Sequence, residues 1–326
     1  MVTRPVYEII EDLSITTRIL GLNITGSKAI AVYGDMNGLV YERMQMEMPT
    51  GATFLEGFDA ICMMVDKLLK VCRVQGLSSP EVISLAISGP VNLLKGIVQT
   101  PPDLPTWEDA QIKGRLAVRY NLPVFIEHRS QAAALAEAYF GAGIGLENLV
   151  FLDMEPVVSL GLVLNERLFH GSNDAAGEIG NMRMAAEGPS GLGLPGSLTG
   201  FASGLGMAEL AGLRHPDRWP TPPGPYELVQ AVHAGEKAAL DVVGESAVHL
   251  SKALAWVIAM LDPDIVVFGH PGDVLGESLL VPLREALTAS GIKAGRMPRL
   301  VGAKLSAKLD DVAALMAVID RFRNRD

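Results

Sequence analysis

Two cysteines are all that the 326-residue chain contains, and both lie in one apolar run, "ICMMVDKLLKVC", as Cys62 and Cys72. Ten residues apart on one straight helix, they are separated by about 15 Å of rise, beyond the reach of a disulfide. Buried core thiols in a reducing compartment are the expectation, and with them a cytoplasmic location. An excess of basic charge is also lacking. The 27 Lys and Arg against 37 Asp and Glu leave a formal charge of −10, which argues against the counterion-displacing surface that nonspecific nucleic-acid binding needs. No apolar run reaches the roughly 18 residues of a membrane span. The opening "MVTRPVYEIIEDLS" is charged and acidic, with no signal-peptide core. Neither direct nucleic-acid binding nor membrane association is expected.

What the chain does have is length for two packed lobes and 34 glycines, which suit many tight strand-to-helix turns. After a short polar lead over residues 1–18, the stretch to Pro49 reads as two or three antiparallel strands, with "DMNG" at Asp35–Gly38 as a hairpin turn. "GFDAICMMVDKLLKVCRVQG" has helical periodicity and ends at Gly76. "VISLAISGPV" and "PVFIEH" read as buried strands on either side of a helix over "WEDAQIKGRLAVRYN". Strands follow at "NLVFLDM" and "VVSLGLVLNERLFHG", then a glycine-rich stretch from Gly188 to Gly206 and a proline-rich surface loop. Two helices lead to the strand "DIVVFG" and the turn "GHPGD", and "ESLLVPLREALTASG" and "DDVAALMAVIDRFR" read as late helices. The similar strand–helix order of the two halves suggests a duplicated α/β architecture. The fourteen methionines read as core or gap-filling residues.

The stretch "FIEHRSQAAALAE" is the most pointed. It delivers Glu127, His128 and Arg129 to a strand-to-helix junction, the place where α/β proteins usually hold ligands.

Several stretches, in order over nearly all of residues 19–322, resemble the ROK family of sugar kinases and sugar-responsive repressors. "LGLNITGSKAIAVYGDMNG" resembles its first phosphate hairpin, and "LAISGPVNLLKGIVQTPPDLPTW" its Pro-Gly-Pro strand and following loop. "NLPVFIEHRSQAAALAEAYFGAG" is similar to its Glu-Asn-Asp strand and helix, "AAGEIGNM" to its Gly-Glu-Ile-Gly-His-Met motif, and "MLDPDIVVFGHPGD" to the strand leading to its adenosine loop. The resemblance implies an actin-like (ribonuclease H-like) two-lobed α/β fold with a central ligand cleft. It divides the chain into an N-terminal lobe over 19–122, joined by a C-terminal helix at about 310–326, and a C-terminal lobe over 123–309. It also implies ATP on glycine-rich hairpins, a sugar in the cleft, an aspartate base, a structural zinc in many members, and a homodimer. Repressor members add an N-terminal helix-turn-helix, for which the 18-residue lead is too short.

The chain departs from that pattern where the chemistry lies. Arg129 stands at the catalytic aspartate, and a guanidinium is neither an acceptor nor a base. His128, one residue earlier, would point to the opposite face of a strand. Asn23 replaces the aspartate that helps place Mg²⁺, while Gly26, Ser27 and Lys28 are kept and Thr25 replaces a glycine. The second phosphate hairpin reads "DMEPVVSLG", where Pro156 removes a donor and Asp153 and Glu155 add negative charge. Asn181, Ser190, Leu192 and Ser197 stand where the family has its zinc ligands, and none supplies a thiolate or imidazole.

No catalytic residue is therefore expected, and neither ATP with Mg²⁺ nor zinc as a cofactor. The candidate ligand-binding residues are Asn92, Glu127, His128, Arg129, Glu178, Asn181 and Thr199, the last where the family often has a sugar-binding glutamate. Asn23, Gly26, Ser27, Lys28 and His270 mark a degenerate nucleotide site. An ion pair between Arg129 and Glu178 is one use of the guanidinium, and grip on an anionic sugar derivative is another. The reading is a catalytically inactive sensor of a sugar or anionic sugar derivative. The alternatives are an ATP-dependent sugar kinase with unorthodox residues, and a transcriptional regulator acting through a partner or a missing helix-turn-helix.

Overall fold

The structure is a computed structural model that describes residues 13–49, 51–99 and 101–324. The chain divides into two compact units. The first comprises residues 1–136, 172–175 and 307–326, and the second residues 137–171 and 176–306.

The first unit is built on a five-stranded sheet of order β3-β2-β1-β4-β7. Its strands are β1 (Arg18–Ile24), β2 (Lys28–Asp35), β3 (Val40–Glu47), β4 (Val82–Ile87) and β7 (Val124–His128), with β5 (Val91–Asn92) and β6 (Ile97–Val98) forming a separate two-stranded ladder. β1, β2 and β3 run antiparallel, and β4 and β7 continue in parallel from β1. The expected turn forms: Asp35 accepts the N–H groups of Gly38 through its carbonyl and of Asn37 and Leu39 through its carboxylate. β4 is buried along its whole length, as a strand inside a parallel array must be. β3, at the edge, alternates half-buried and exposed residues, which turns Met44 and Met46 toward the core.

Helix α1 (Phe54–Val74) starts on a capping box between Thr53 and Glu56 and buries Phe58, Ile61, Val65 and Leu68. Cys62 and Cys72 lie on it as free buried thiols. The helix expected from Trp107 begins later. Pro105–Trp107 is a 3₁₀ turn, Asp109 takes a left-handed φ of 57°, and α2 runs only from Ile112 to Tyr120. The expected lobe boundary at residue 122 is also displaced. β7 pairs with β4 in the first sheet, so the first unit extends through Ala136. The C-terminal segment returns to this unit as two short helices, Leu309–Ala313 and Met316–Arg323, where one was expected.

The second unit repeats the plan. Its sheet has the order β10-β9-β8-β11-β12, from β8 (Leu149–Asp153), β9 (Ser159–Leu164), β10 (Arg167–Leu168), β11 (Ile265–Phe268) and β12 (Arg299–Gly302). β8 pairs antiparallel with β9 and parallel with β11, as β1 does with β2 and β4. β12 lacks a clear sequence signal, because "RLVG" is four residues long with an exposed arginine. Helix α3 (Arg129–Phe140) passes from the first unit into the second. The second unit adds α4 (Leu198–Ala202), α5 (Gly204–Arg214), α6 (Pro225–His233), α7 (Lys237–Leu261), α8 (Gly272–Leu275) and α9 (Glu277–Ala289). By length and composition alone α7 is long and apolar enough to cross a bilayer. Its inner face, including Val242, Leu250, Leu254 and Ile258, is packed in the core of this unit. Glu137, fully buried, ties two segments of this unit together by accepting the N–H groups of Ala142 and Leu305.

Candidate functional site

β7 runs buried into α3, and the three residues at the junction have different fates. Glu127 is 3% exposed, and its carboxylate accepts the backbone N–H of His128 at 2.9 Å. The Nδ1 of His128 accepts the N–H of Ser130 at 3.3 Å and lies 2.7 Å from its hydroxyl. The ring lies against the end of β4, where a Cβ on Gly89 would come within 2.2 Å of His128 Cδ2. Burial, and secondarily the charge of Arg129, lowers the imidazole to about 4. Such a group is neutral at pH 7, but it has little drive to take a proton from a sugar hydroxyl.

Arg129 opens α3 with a side chain 12% exposed. Its Nη2 is 3.4 Å from Oδ1 of Asp310, at the start of the helix Leu309–Ala313. The other carboxylate oxygen of Asp310 accepts Lys28 Nζ at 2.6 Å. The Asn23 amide donates to the Asp310 carbonyl at 3.1 Å and more distantly to its carboxylate. Residues of three elements, β1, β2 and the start of α3, thus converge on one acid of the C-terminal helix. Burial opposes ionisation of Asp310, yet Arg129 and Lys28 outweigh it and hold the carboxyl below its ordinary range. A divalent cation here would have to displace Lys28 and Arg129 from the same carboxylate against their charge, so the residues present do not fit Mg²⁺.

The hairpin tip is engaged as well. Gly26 donates its N–H to the Asp103 carboxylate at 2.7 Å, and a Cβ at Gly26 would come within 1.9 Å of the Asp103 carbonyl oxygen. The hydroxyls of Thr25 and Ser27 lie 3.2 Å apart. A groove of about 650 Å³ opens beside the tip, lined by Ser27, Lys28, Gln45, Glu47 and the Asp103–Trp107 loop. Two carboxylates against one lysine make it ill suited to a polyphosphate. Asn92 makes its contact locally, its side chain accepting the Lys95 N–H at 2.8 Å.

Glu178, Asn181, Thr199 and His270 belong to the second unit. Glu178 sits in the exposed loop after β10, where partial desolvation pushes its carboxyl above the usual range. The Thr199 hydroxyl is buried and accepts the Val158 N–H at 3.1 Å. His270, half exposed, lies 3.4 Å from Asp273 and 3.9 Å from Glu155. The "DMEPVVSLG" run forms the β8–β9 hairpin, with Asp153 opposite Ser159.

The zinc-loop positions are used differently from metal ligands. Asn181 accepts the Leu194 N–H, Ser197 caps α4 through the Gly200 N–H, and the Glu209 carboxylate accepts the N–H groups of Ser190 and Gly191. This donor set does not fit a structural zinc, and among the described residues no three His, Cys, Asp or Glu are grouped to hold a metal.

Of the candidates read from the sequence, the structure brings Asn23, Lys28 and Arg129 together. The residue that organises them, Asp310, and Asp103, which holds the Gly26 N–H, are ones that motif reading passes over. Asp310 carries a faint signal as one of two acids opening a helix. Asp103, in a Pro-Pro-Asp turn, carries none.

The model of the ROK family matches residues 19–316. A glucokinase from Halalkalibacterium halodurans is 30% identical over 195 residues, 56% of this chain and 59% of that protein. A xylose repressor from Caldicellulosiruptor bescii is 25% identical over 215 residues, 63% of this chain and 54% of the repressor. The chain thus spans little more than half the length of these two relatives. The crystal structure of a ROK family glucokinase from Streptomyces griseus in complex with glucose and AMPPNP superposes with a TM-score of 0.78 at 24% identity, covering 91% of this chain and 97% of that one. The last likeness shows the fold, the two-lobed α/β architecture expected from the sequence.

Proposed function

Because the chain belongs to the ROK family, we propose that it is a catalytically inactive member that senses a sugar or an anionic sugar derivative. The observation that carries this reading is Asp310. Its carboxylate engages the lysine kept from the phosphate hairpin and the arginine that replaces the catalytic base. Asp103 does the same for the hairpin N–H of Gly26. The chain's own acids lie against the groups that a polyphosphate would need, and the guanidinium cannot accept a proton. Relatives that are a glucokinase and a xylose repressor make a monosaccharide derivative the ligand class. An arginine where the family has its base makes an anionic one, a sugar acid or sugar phosphate met by the guanidinium fork, the form we propose.

A thermal-shift series with MgATP, neutral hexoses, N-acetylated amino sugars, sugar phosphates and sugar acids tests this. A sugar-like anion at 100 times its Kd should add about 2.7 kcal/mol, and Arg129→Leu should abolish the shift. MgATP should leave the protein unchanged. Stabilisation by MgATP, or transfer of its phosphoryl group to a hexose, would overturn the proposal and restore the kinase.

A further inference from the structure

The three tryptophans have unlike surroundings. Trp107 and Trp219 are buried, whereas Trp256 on α7 is 68% exposed. It belongs to a row at i, i+4 spacing, Val248, Lys252, Trp256 and Met260, on the outer face of that helix. Val248 and Met260 are 48% and 70% exposed. The row extends over about 18 Å of helix. Beside its C-terminal half, a groove of about 580 Å³ opens between α7 and the turn after α9. Lys252, Trp256, Ala259, Ile292, Lys293 and Arg296 are among its lining residues, and no carboxylate lines it. Arg296 lies 3.8 Å from Asp262, with both side chains well exposed. In a chain with ten more acids than bases, this is a mainly cationic and aromatic patch.

We propose that this face docks an acidic amphipathic helix of a partner protein. The apolar stripe of the partner lies along Val248, Trp256 and Met260, and its carboxylates meet Lys252, Lys293 and Arg296. The charge selects the occupant. A second copy in a two-fold contact would set the same three cations against one another, while an acidic helix matches the patch locally. The length selects a helix, since a straight 18 Å row is what three turns of a partner helix cover. Trp, Met and Arg beside one another are also the residues enriched where interfaces concentrate their binding energy. The inference stands apart from the sugar reading, because it uses only residues of α7 and the turn after α9.

The test uses the full chain and three synthetic peptides: an amphipathic helix with Glu on its polar face and Leu on the other, its Lys-for-Glu counterpart, and a scrambled acidic peptide. With the other two tryptophans buried, Trp256 emission reports directly. The acidic helix is expected to shift that emission to the blue, to bind in the micromolar range, and to weaken as salt rises. Read by fluorescence anisotropy of a dye-labelled peptide, Trp256→Ala and the double variant Lys293→Glu, Arg296→Glu should each weaken binding by about tenfold or more. Both change exposed positions, and a thermal melt confirms their folding. Failure of the acidic helix to bind at about 1 mM would overturn the proposal. So would equal binding of the scrambled or basic peptide, or unchanged affinity in Trp256→Ala. Sedimentation showing self-association lost in Trp256→Ala would give the face to a second copy. Binding to phosphatidylglycerol vesicles, without binding of the peptide, would give it to a membrane. Either result would refute a helical partner.

Discussion

The β1–β2 hairpin and the β8–β9 hairpin hold equivalent positions in their sheets, each joining the first strand of its unit to an antiparallel neighbour while a parallel strand follows on the other side. Their acids come from different places. The first hairpin keeps its glycine and lysine and receives its negative charge from afar, from Asp103 and Asp310, 77 and 282 residues away from their partners. The second carries its acids within itself, as Asp153 and Glu155, with half-exposed His270 beside the latter. A remote acid held by two cations is a tertiary contact, and it ties the C-terminal helix to the sheet. Asp153 is buried at the end of β8, whereas Glu155, on the turn that follows, is only half-buried and is a local change of charge. The first region should therefore answer strongly to substitution and to pH, and the second weakly at Glu155.

The largest effect is expected from pH at the β7–α3 junction. Unfolded, His128 titrates near 6.5, and folded, at about 4. Between those values the unfolded chain binds more protons, so stability is full above pH 6.5 and falls as the pH drops toward 4, by about 3 kcal/mol at most. Urea unfolding of the wild type and of His128→Gln across that range measures it. Parallel curves for the two proteins would remove His128 from the account.

Next comes Asp310→Ala. It leaves Arg129 and Lys28 without their shared carboxylate, and Arg129 is mostly buried. Loss of a fully buried partner costs about 3–5 kcal/mol. Lys28 is more than a third exposed, which screens part of the effect, so about 2 kcal/mol is expected. The acid limb should change too. A carboxyl whose folded value is depressed contributes fully above its unfolded value near 3.9 and loses that contribution as the pH falls through the folded one. The variant should lack that segment of the pH–stability curve. A cost below about 0.5 kcal/mol would make the cluster an adjacency without energy and erase the contrast between the hairpins.

Asp103→Ala should cost about 1 kcal/mol, the worth of one charge-assisted hydrogen bond less the desolvation of its carboxylate. It also uncovers the Gly26 N–H. Inorganic phosphate, without effect on the wild type, should then raise the melting temperature of the variant. If phosphate stabilises both proteins equally, Asp103 is not what keeps anions from the tip.

How far the sequence foretold these contacts follows from their range. The strands, the "DMNG" turn and α1 are local patterns of burial and turn chemistry, and the family resemblance supplied the two-lobed fold. Arg129, Asn23 and Lys28 stood out because they occupy motif positions. Asp310 and Asp103 did not, because their meaning lies in a return of the chain across the sheet that no local pattern encodes. β12 and the boundary at Ala136 went unread for the same reason: a four-residue edge strand and the pairing of β7 with β4 are settled by neighbours distant in sequence. The helix expected from Trp107 failed locally, at a left-handed Asp109 that propensity does not forbid.

The smallest effect sharpens the comparison from the other side. Glu155 lies 3.9 Å from His270, and their side chains are 37% and 51% exposed. At that distance and exposure, water and salt screen most of the attraction that a protonated imidazole would exert. Glu155→Gln keeps the shape and removes the charge, so chemical denaturation should place it within about 0.5 kcal/mol of the wild type. The same substitution logic applied to Asp310 removes a charge that two cations share in a partly buried site. The ratio of the two effects, measured in one protein under one set of conditions, therefore reports where each acid is held. A Glu155→Gln cost equal to that of Asp310→Ala would mean that the β8–β9 hairpin is as tightly organised by its charges as the β1–β2 hairpin, and the two regions would then differ in the origin of their acids alone.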